Sequence, residues 1–379
     1  MLKKFLSKIL FLVVWATFFE CIASSNDSSD GISSPPKKRT YKYIPDSATH
    51  CKSHDFLRST YGAQHITYHH PLIKDIMSEA NSSASGPLKL GSPSINLSTT
   101  YGTGSLPTTL DMTTGYPPPF NQGQLGSCTA NALVGIALYD LISQGKITLT
   151  QAATIGNSSS PGGMLSRLYL YWQERNIEGT VSSDSGASLT DGISVLHTKG
   201  VCREYLFPYS DATTGPTATF KNTPTAAMDA DALNFMNLDI NPVNTASVAQ
   251  NVNTIKALLY ANCPLVAGFL VYASFETQTV ANTGIVPMPN TSTEAFLGGH
   301  AVAFAGYDDS KNCFLMRNSW GTNWGTSNVA SGVGGYFWMP YSYITSTTLT
   351  SAIWKISSAG SAPTQSQAIF PVMTGAKQR

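Results

Sequence analysis

The chain has 379 residues, 42% apolar and only 12% charged, with a formal net charge of +1. That is enough apolar sequence for a substantial core, and it leaves no electrostatic case for binding nucleic acid or an anionic membrane surface. Six cysteines in so long a chain exclude a small fold held together by disulfides.

Lys3, Lys4 and Lys8 precede an apolar run from Ile9 to Phe19, and Cys21-Ile22-Ala23 offers small residues for cleavage after Ala23. The run is shorter than the ~20 residues a membrane span needs. Residues 1–23 are therefore expected to be a signal peptide, with an uncleaved anchor as the alternative. A secreted or lumenal protein follows, endolysosomal compartments included, with no membrane contact once the signal is removed. Glycosylation sequons beginning at Asn26, Asn81, Asn96, Asn157 and Asn290 agree with this only weakly in so Ser/Thr-rich a chain.

Residues 24–105 read as a pro-segment or flexible leader, Ser/Asp-rich at first and Ser/Gly/Thr-rich at the end. His50, Cys51, His54, His65, His69 and His70 lie here, but their spacing matches no established zinc pattern. No metal and no other cofactor is expected.

Globular sequence begins at Leu106. Pro117-Pro118-Pro119 makes a stiff lead into Gln122-Gly123-Gln124-Leu125-Gly126-Ser127-Cys128. Ala130, Leu133, Val134, Ala137, Leu138 and Leu141 then form one apolar stripe, which predicts a helix buried along one side. Cys128 falls in its first turn, where free backbone N–H groups and the helix dipole favour a thiolate. Further helices are predicted around Leu165–Trp172, over Leu189–Lys199 with Gly200 as the stop, and around Val248–Leu259. The polar stretch 211–245 reads as surface loop. Strands are predicted at Leu265–Tyr272, Ala301–Tyr307, Cys313–Arg317, Tyr336–Met339 and Ala352–Ile356. Helices first and antiparallel strands later indicate an α+β domain over residues 106–356, with a disordered tail at 357–379.

A nucleophilic cysteine needs a base, and the base needs an orienting partner. Of the two histidines after Cys128, His197 lies inside a helix, whereas His300 stands in Gly298-Gly299-His300-Ala301-Val302, where glycines meet a strand. Asn318 ends another strand. If the two strands pair, its amide can hold one ring nitrogen and leave the other facing the thiol.

These motifs, in this order, resemble the papain-like (C1) cysteine peptidases: Gln122 to Cys128, Gly299-His300-Ala301-Val302, and Asn318-Ser319-Trp320-Gly321 through Trp324-Gly325. Gln124 to Ala132, Asp184 to Ser188 and Gly200-Val201-Cys202 are most similar to the branch outside the familiar lysosomal and plant enzymes. The resemblance implies a two-lobed fold, a helical N-terminal lobe and an antiparallel, barrel-like C-terminal lobe, with the cleft between them. It implies Cys128 as nucleophile, His300 as acid–base partner, Asn318 as its orienter, and Gln122 with the Cys128 backbone N–H as oxyanion hole. Trp320 would shield the His300–Asn318 bond, and the Gly186 backbone would pair with an extended substrate.

Leu125 replaces a structural cysteine of many members, and Thr129 replaces the usual tryptophan. His300 follows Cys128 by 172 residues, beyond the usual ~130–150. One disulfide among Cys51, Cys202, Cys263 and Cys313 is allowed. The expected activity is an endopeptidase acting as a monomer on protein or peptide substrates through an acyl-enzyme. The alternatives are an inactive peptide-binding descendant and a transpeptidase or acyl transferase using the same triad. Serine hydrolysis is set aside, because no Gly-x-Ser-x-Gly elbow occurs.

Overall fold

The computed structural model describes Lys42, Ile44 and residues 106–235, 238–243 and 252–358. The signal segment, the leader histidines, Cys51, the sequons at Asn26, Asn81 and Asn96, and residues 359–379 lie outside the described residues.

Four longer helices carry the first lobe and its border: α1 (Cys128–Ser143), α2 (Arg167–Glu178), α3 (Leu189–Thr198) and α4 (Val252–Tyr260). Side-chain caps start α2 and α3, where Ser166 accepts from the Tyr169 N–H and Ser188 from the Asp191 N–H. The helix that begins at Cys128 is buried without a break from Cys128 to Leu141, rather than along one side. It lies between α2 and α3 on one flank and the sheet on the other. Its polar residues are satisfied inside the protein, which is why full burial is tolerated. The Thr129 hydroxyl donates to Glu174 Oε2 at 2.8 Å, and the Asn131 amide donates to the Ser127 carbonyl at 2.8 Å.

The second lobe is an antiparallel sheet of β1 (Thr109–Asp111), β2 (Leu238–Val243), β3 (Leu265–Tyr272), β4 (Phe296–Asp308), β5 (Cys313–Arg317), β6 (Tyr336–Pro340) and β7 (Thr350–Ser358). The strand order is β2-β7-β3-β4-β5-β6, with β1 pairing the far end of β4. The last strand therefore runs two residues past the predicted start of the tail. The predicted loop at 211–245 holds a helical turn at Ala226–Ala232 as well as β2. Among the described residues β2 pairs with β7 alone, and at such an edge a proline such as Pro242 costs the ladder little.

β4 emerges exposed at Phe296 and is buried from Gly299 onward, so His300 sits where the strand enters the core. β4 pairs with β5 in a register that sets Ala303 opposite Arg317. Asn318 therefore follows β5 beside His300. The chain leading to α1 is stitched to the residues after β5. The Gln122 N–H donates to the Ser319 carbonyl, the Gly321 N–H donates to the Phe120 carbonyl, both at 2.8 Å, and Asn121 bridges Trp320. This short ladder joins the two lobes at the start of α1.

Candidate active site

Cys128, His300, Asn318, Gln122 and Trp320 are all buried, at 6% exposure or less. His300 Nε2 lies 2.8 Å from Asn318 Oδ1. An amide oxygen only accepts, so Nε2 carries the proton in this bond. Asn318 is fixed by its own N–H to the Gly335 carbonyl, at 3.0 Å, and its Oδ1 also accepts from the Ser319 N–H. The Trp320 ring stacks on the His300 ring with centroids 5.0 Å apart, and the Phe269 edge closes another side. The Cys128 sulfur lies against the Ala301 N–H, the residue next to His300. Helix α1 and strand β4 thus bring sulfur and imidazole into one neighbourhood.

The sulfur does not behave as its helix position predicts. Burial pushes the Cys128 thiol up to about 12, above its ordinary value of 9.0. The Ala301 and backbone N–H bonds work the other way, and the nearby Glu174 carboxyl adds to the rise. Loss of water around the sulfur outweighs the helix terminus here.

Gln122 turns its Oε1 to the Ser319 hydroxyl at 2.6 Å and gives one amide hydrogen to the Leu125 carbonyl at 3.0 Å. Ser319 thereby decides which way the amide faces. The residues around it form a polar network that sequence reasoning missed. The Tyr209 hydroxyl donates to the Gln122 carbonyl at 3.0 Å and meets the Ser127 hydroxyl at 2.5 Å. Arg167 lies over the Tyr209 ring and pairs with Glu204 at 2.9 Å, and the Tyr209 N–H donates to that same carboxylate. Both ends of the Gln122–Cys128 loop are held this way. Arg167 is far in sequence from Glu204 and Tyr209, so no local pattern signals it.

Gly186 stands beside Ala187, where the leader pairs. Its N–H donates to the Tyr171 hydroxyl at 3.0 Å, and it is the neighbouring Ala187 carbonyl that accepts from the leader, through the Ile44 N–H at 3.0 Å. His197 is exposed on α3. Cys202, Cys263 and Cys313 are free thiols, so no disulfide forms among these three.

Behind Cys128, three carboxyl groups cluster. Burial, with smaller contributions from Glu178 and Asp191, holds Glu174 well above the usual range, while its bond from Thr129 opposes the rise. Burial and then the Asp191 charge push Glu178 up to about 8. Both fold best when protonated, so their stabilisation is complete below the unfolded value of ~4.3 and is lost as pH rises through the folded value. The melting temperature is expected to fall between about pH 5 and pH 9, and to fall less in Glu178→Gln, a comparison that thermal denaturation reads directly.

Comparisons with known proteins bear on the family and the fold. The model of the papain family of cysteine proteases matches residues 106–342. An uncharacterised peptidase C1-like protein of Acanthamoeba polyphaga mimivirus is 34% identical over 240 residues, covering 62% of this chain and 68% of that one. The crystal structure of xylellain, a cysteine protease from Xylella fastidiosa, superposes with a TM-score of 0.59 at 31% identity, covering 86% of this chain and 99% of that one. Both relatives stand outside the familiar cathepsins, as the details around Cys128 imply. The chain belongs to the papain family and is a cysteine peptidase with the α+β fold of that family.

Proposed function

We propose that the protein is an endopeptidase that cuts peptide bonds through an acyl-enzyme on Cys128. The observation that carries this is the His300–Asn318 bond under Trp320, with the Cys128 sulfur against the residue next to His300. Asn318 holds Nε2, so Nδ1 is the nitrogen that takes the thiol proton. The sulfur attacks the carbonyl carbon. The Gln122 amide hydrogen not given to Leu125, with the Cys128 backbone N–H, holds the oxyanion. His300 returns the proton to the leaving amine, and water then releases the acyl group. Trp320 keeps competing water from the His300–Asn318 bond.

The leader is read as inhibitory. Ile44 pairs with Ala187, and Lys42 lies on Gly126 and Gly186. A covered cleft excludes water and keeps the thiol protonated, so removing the leader activates the protein. Secretion or delivery to an acidic lumen fits the carboxyl cluster, which is most stabilising at low pH. No helix among the described residues is long and apolar enough to cross a membrane.

A thiol-directed epoxide tests the reading. It is expected to modify Cys128 selectively once the leader is removed, with a peptide-mapped adduct there and none on Cys202, Cys263 or Cys313. An activated protein whose Cys128 ignores the epoxide would be a peptide binder. One that yields ligated rather than hydrolysed product when given an amine would be an acyl transferase.

A further inference from the structure

Resting on the peptidase reading, we propose that Asp184 sets substrate preference: the cleft takes a lysine or arginine at the residue bearing the scissile carbonyl. The leader shows what the site accepts. The Lys42 ammonium donates to Asp184 Oδ2 at 2.6 Å and also to the Asp184 backbone carbonyl. Its aliphatic stem crosses Gly126, and its carbonyl lies on Gly186 so closely that a methyl group at either glycine would collide with it. Two glycines thus make a slot along a basic side chain, closed at its end by a carboxylate.

The carboxylate is built in rather than free to swing. Asp184 Oδ1 accepts from the Gly126 N–H at 3.0 Å and from the Tyr171 hydroxyl at 2.5 Å. That hydroxyl in turn accepts from the Gly186 N–H. Oδ2, which also takes a longer bond from the Gly126 N–H, is the oxygen turned to the ammonium. With Lys42 in place the Asp184 side chain is only 9% exposed, so little water screens the pair. Gly126 lies two residues before Cys128, which sets the slot beside the sulfur. A side chain that fills it belongs to the residue that becomes the acyl group.

The test uses the protein expressed with its leader and then activated by removal of it, and fluorogenic peptides that differ only at this residue. Lysine is compared with norleucine, which keeps the stem and drops the charge, and with glutamate. In the wild-type protein, kcat/KM is expected to favour lysine over norleucine by about tenfold or more, with glutamate slowest. In Asp184→Asn, which keeps an acceptor for Gly126 and Tyr171, the lysine-to-norleucine ratio is expected to fall to about one. A wild-type protein that binds the epoxide at Cys128 yet cuts lysine and norleucine peptides equally overturns the assignment and leaves the peptidase reading intact. So does an Asp184→Asn protein that keeps the wild-type ratio. A protein that takes no epoxide and cuts neither peptide overturns the peptidase reading, and the assignment with it.

Discussion

Cys128→Ala is expected to lower kcat on a denatured protein substrate by on the order of 10⁶, leaving only the residual rate that binding and the oxyanion hole supply. No neighbour can substitute for the sulfur. Cys202 and Cys313 are buried elsewhere, and their thiols are likewise pushed up by burial. The fold should survive, because alanine fits the same helix turn and the side chain is small. The supporting groups should then show a graded series. Asn318→Ala frees the His300 ring, and its effect should appear mainly in kcat. Gln122→Ala removes one oxyanion donor, a loss of ~10²–10³ in turnover. Because Ser319 and Tyr209 anchor opposite sides of Gln122, Tyr209→Phe should reproduce part of that loss without touching the amide. Combining Cys128→Ala with Asn318→Ala should cost nothing further, since groups that act as a unit are not additive. Rates from single-turnover kinetics across the set read this directly. Wild-type turnover in Cys128→Ala would sink the nucleophile assignment.

How far the sequence speaks depends on whether a residue's partner is local. The strands at Leu265–Tyr272 and Cys313–Arg317 are found to the residue, because continuous apolar runs between turn residues carry their own signal. The Cys128, His300 and Asn318 motifs are equally legible, since each sits at a glycine-marked junction between elements. β2 was unreadable. Its six residues, with an asparagine and a proline inside, become a strand only by pairing with Thr350–Ser358 more than a hundred positions on. The full burial of α1 was hidden for a related reason. Thr129 and Asn131 look like an outer face until Glu174 and Ser127 satisfy them. The thiol shows the same limit from the electrostatic side. A helix terminus can be seen in the sequence, but the water that neighbouring segments exclude cannot. Asp184 was visible only as part of a loop motif, because its meaning comes from Gly126, Tyr171 and Lys42 converging on it.

Arg317→Ala is expected to destabilise the protein by ~3–5 kcal/mol, lowering the melting temperature by roughly 10 °C. Arg317 ends β5, is 2% exposed, and forms no ion pair among the described residues. Burial pushes its guanidinium down from the ordinary value. The charge is carried by carbonyl dipoles and ring faces. Nη2 donates to the carbonyls of Pro117 and Pro118, at 3.2 and 2.8 Å, and the guanidinium lies 4.6 Å from the Phe120 ring centre. Arg167 approaches that same ring at 4.7 Å, so two cations lie against Phe120. Alanine would strand both proline carbonyls and open a cavity at the joint between the lobes. Methionine, which refills the volume and removes the buried charge, should cost less than half as much. Lysine should do poorly despite its charge, since a single ammonium cannot reproduce a planar fork stacked on an aromatic face. The same clamp holds Pro117–Phe120 against β5 just before the ladder that couples Gln122 to Ser319. Arg317→Ala should therefore also lower kcat below the melting transition, by loosening Gln122 and Asn318 together. A variant as stable and as active as wild type would show that the lobes are joined by the ladder alone.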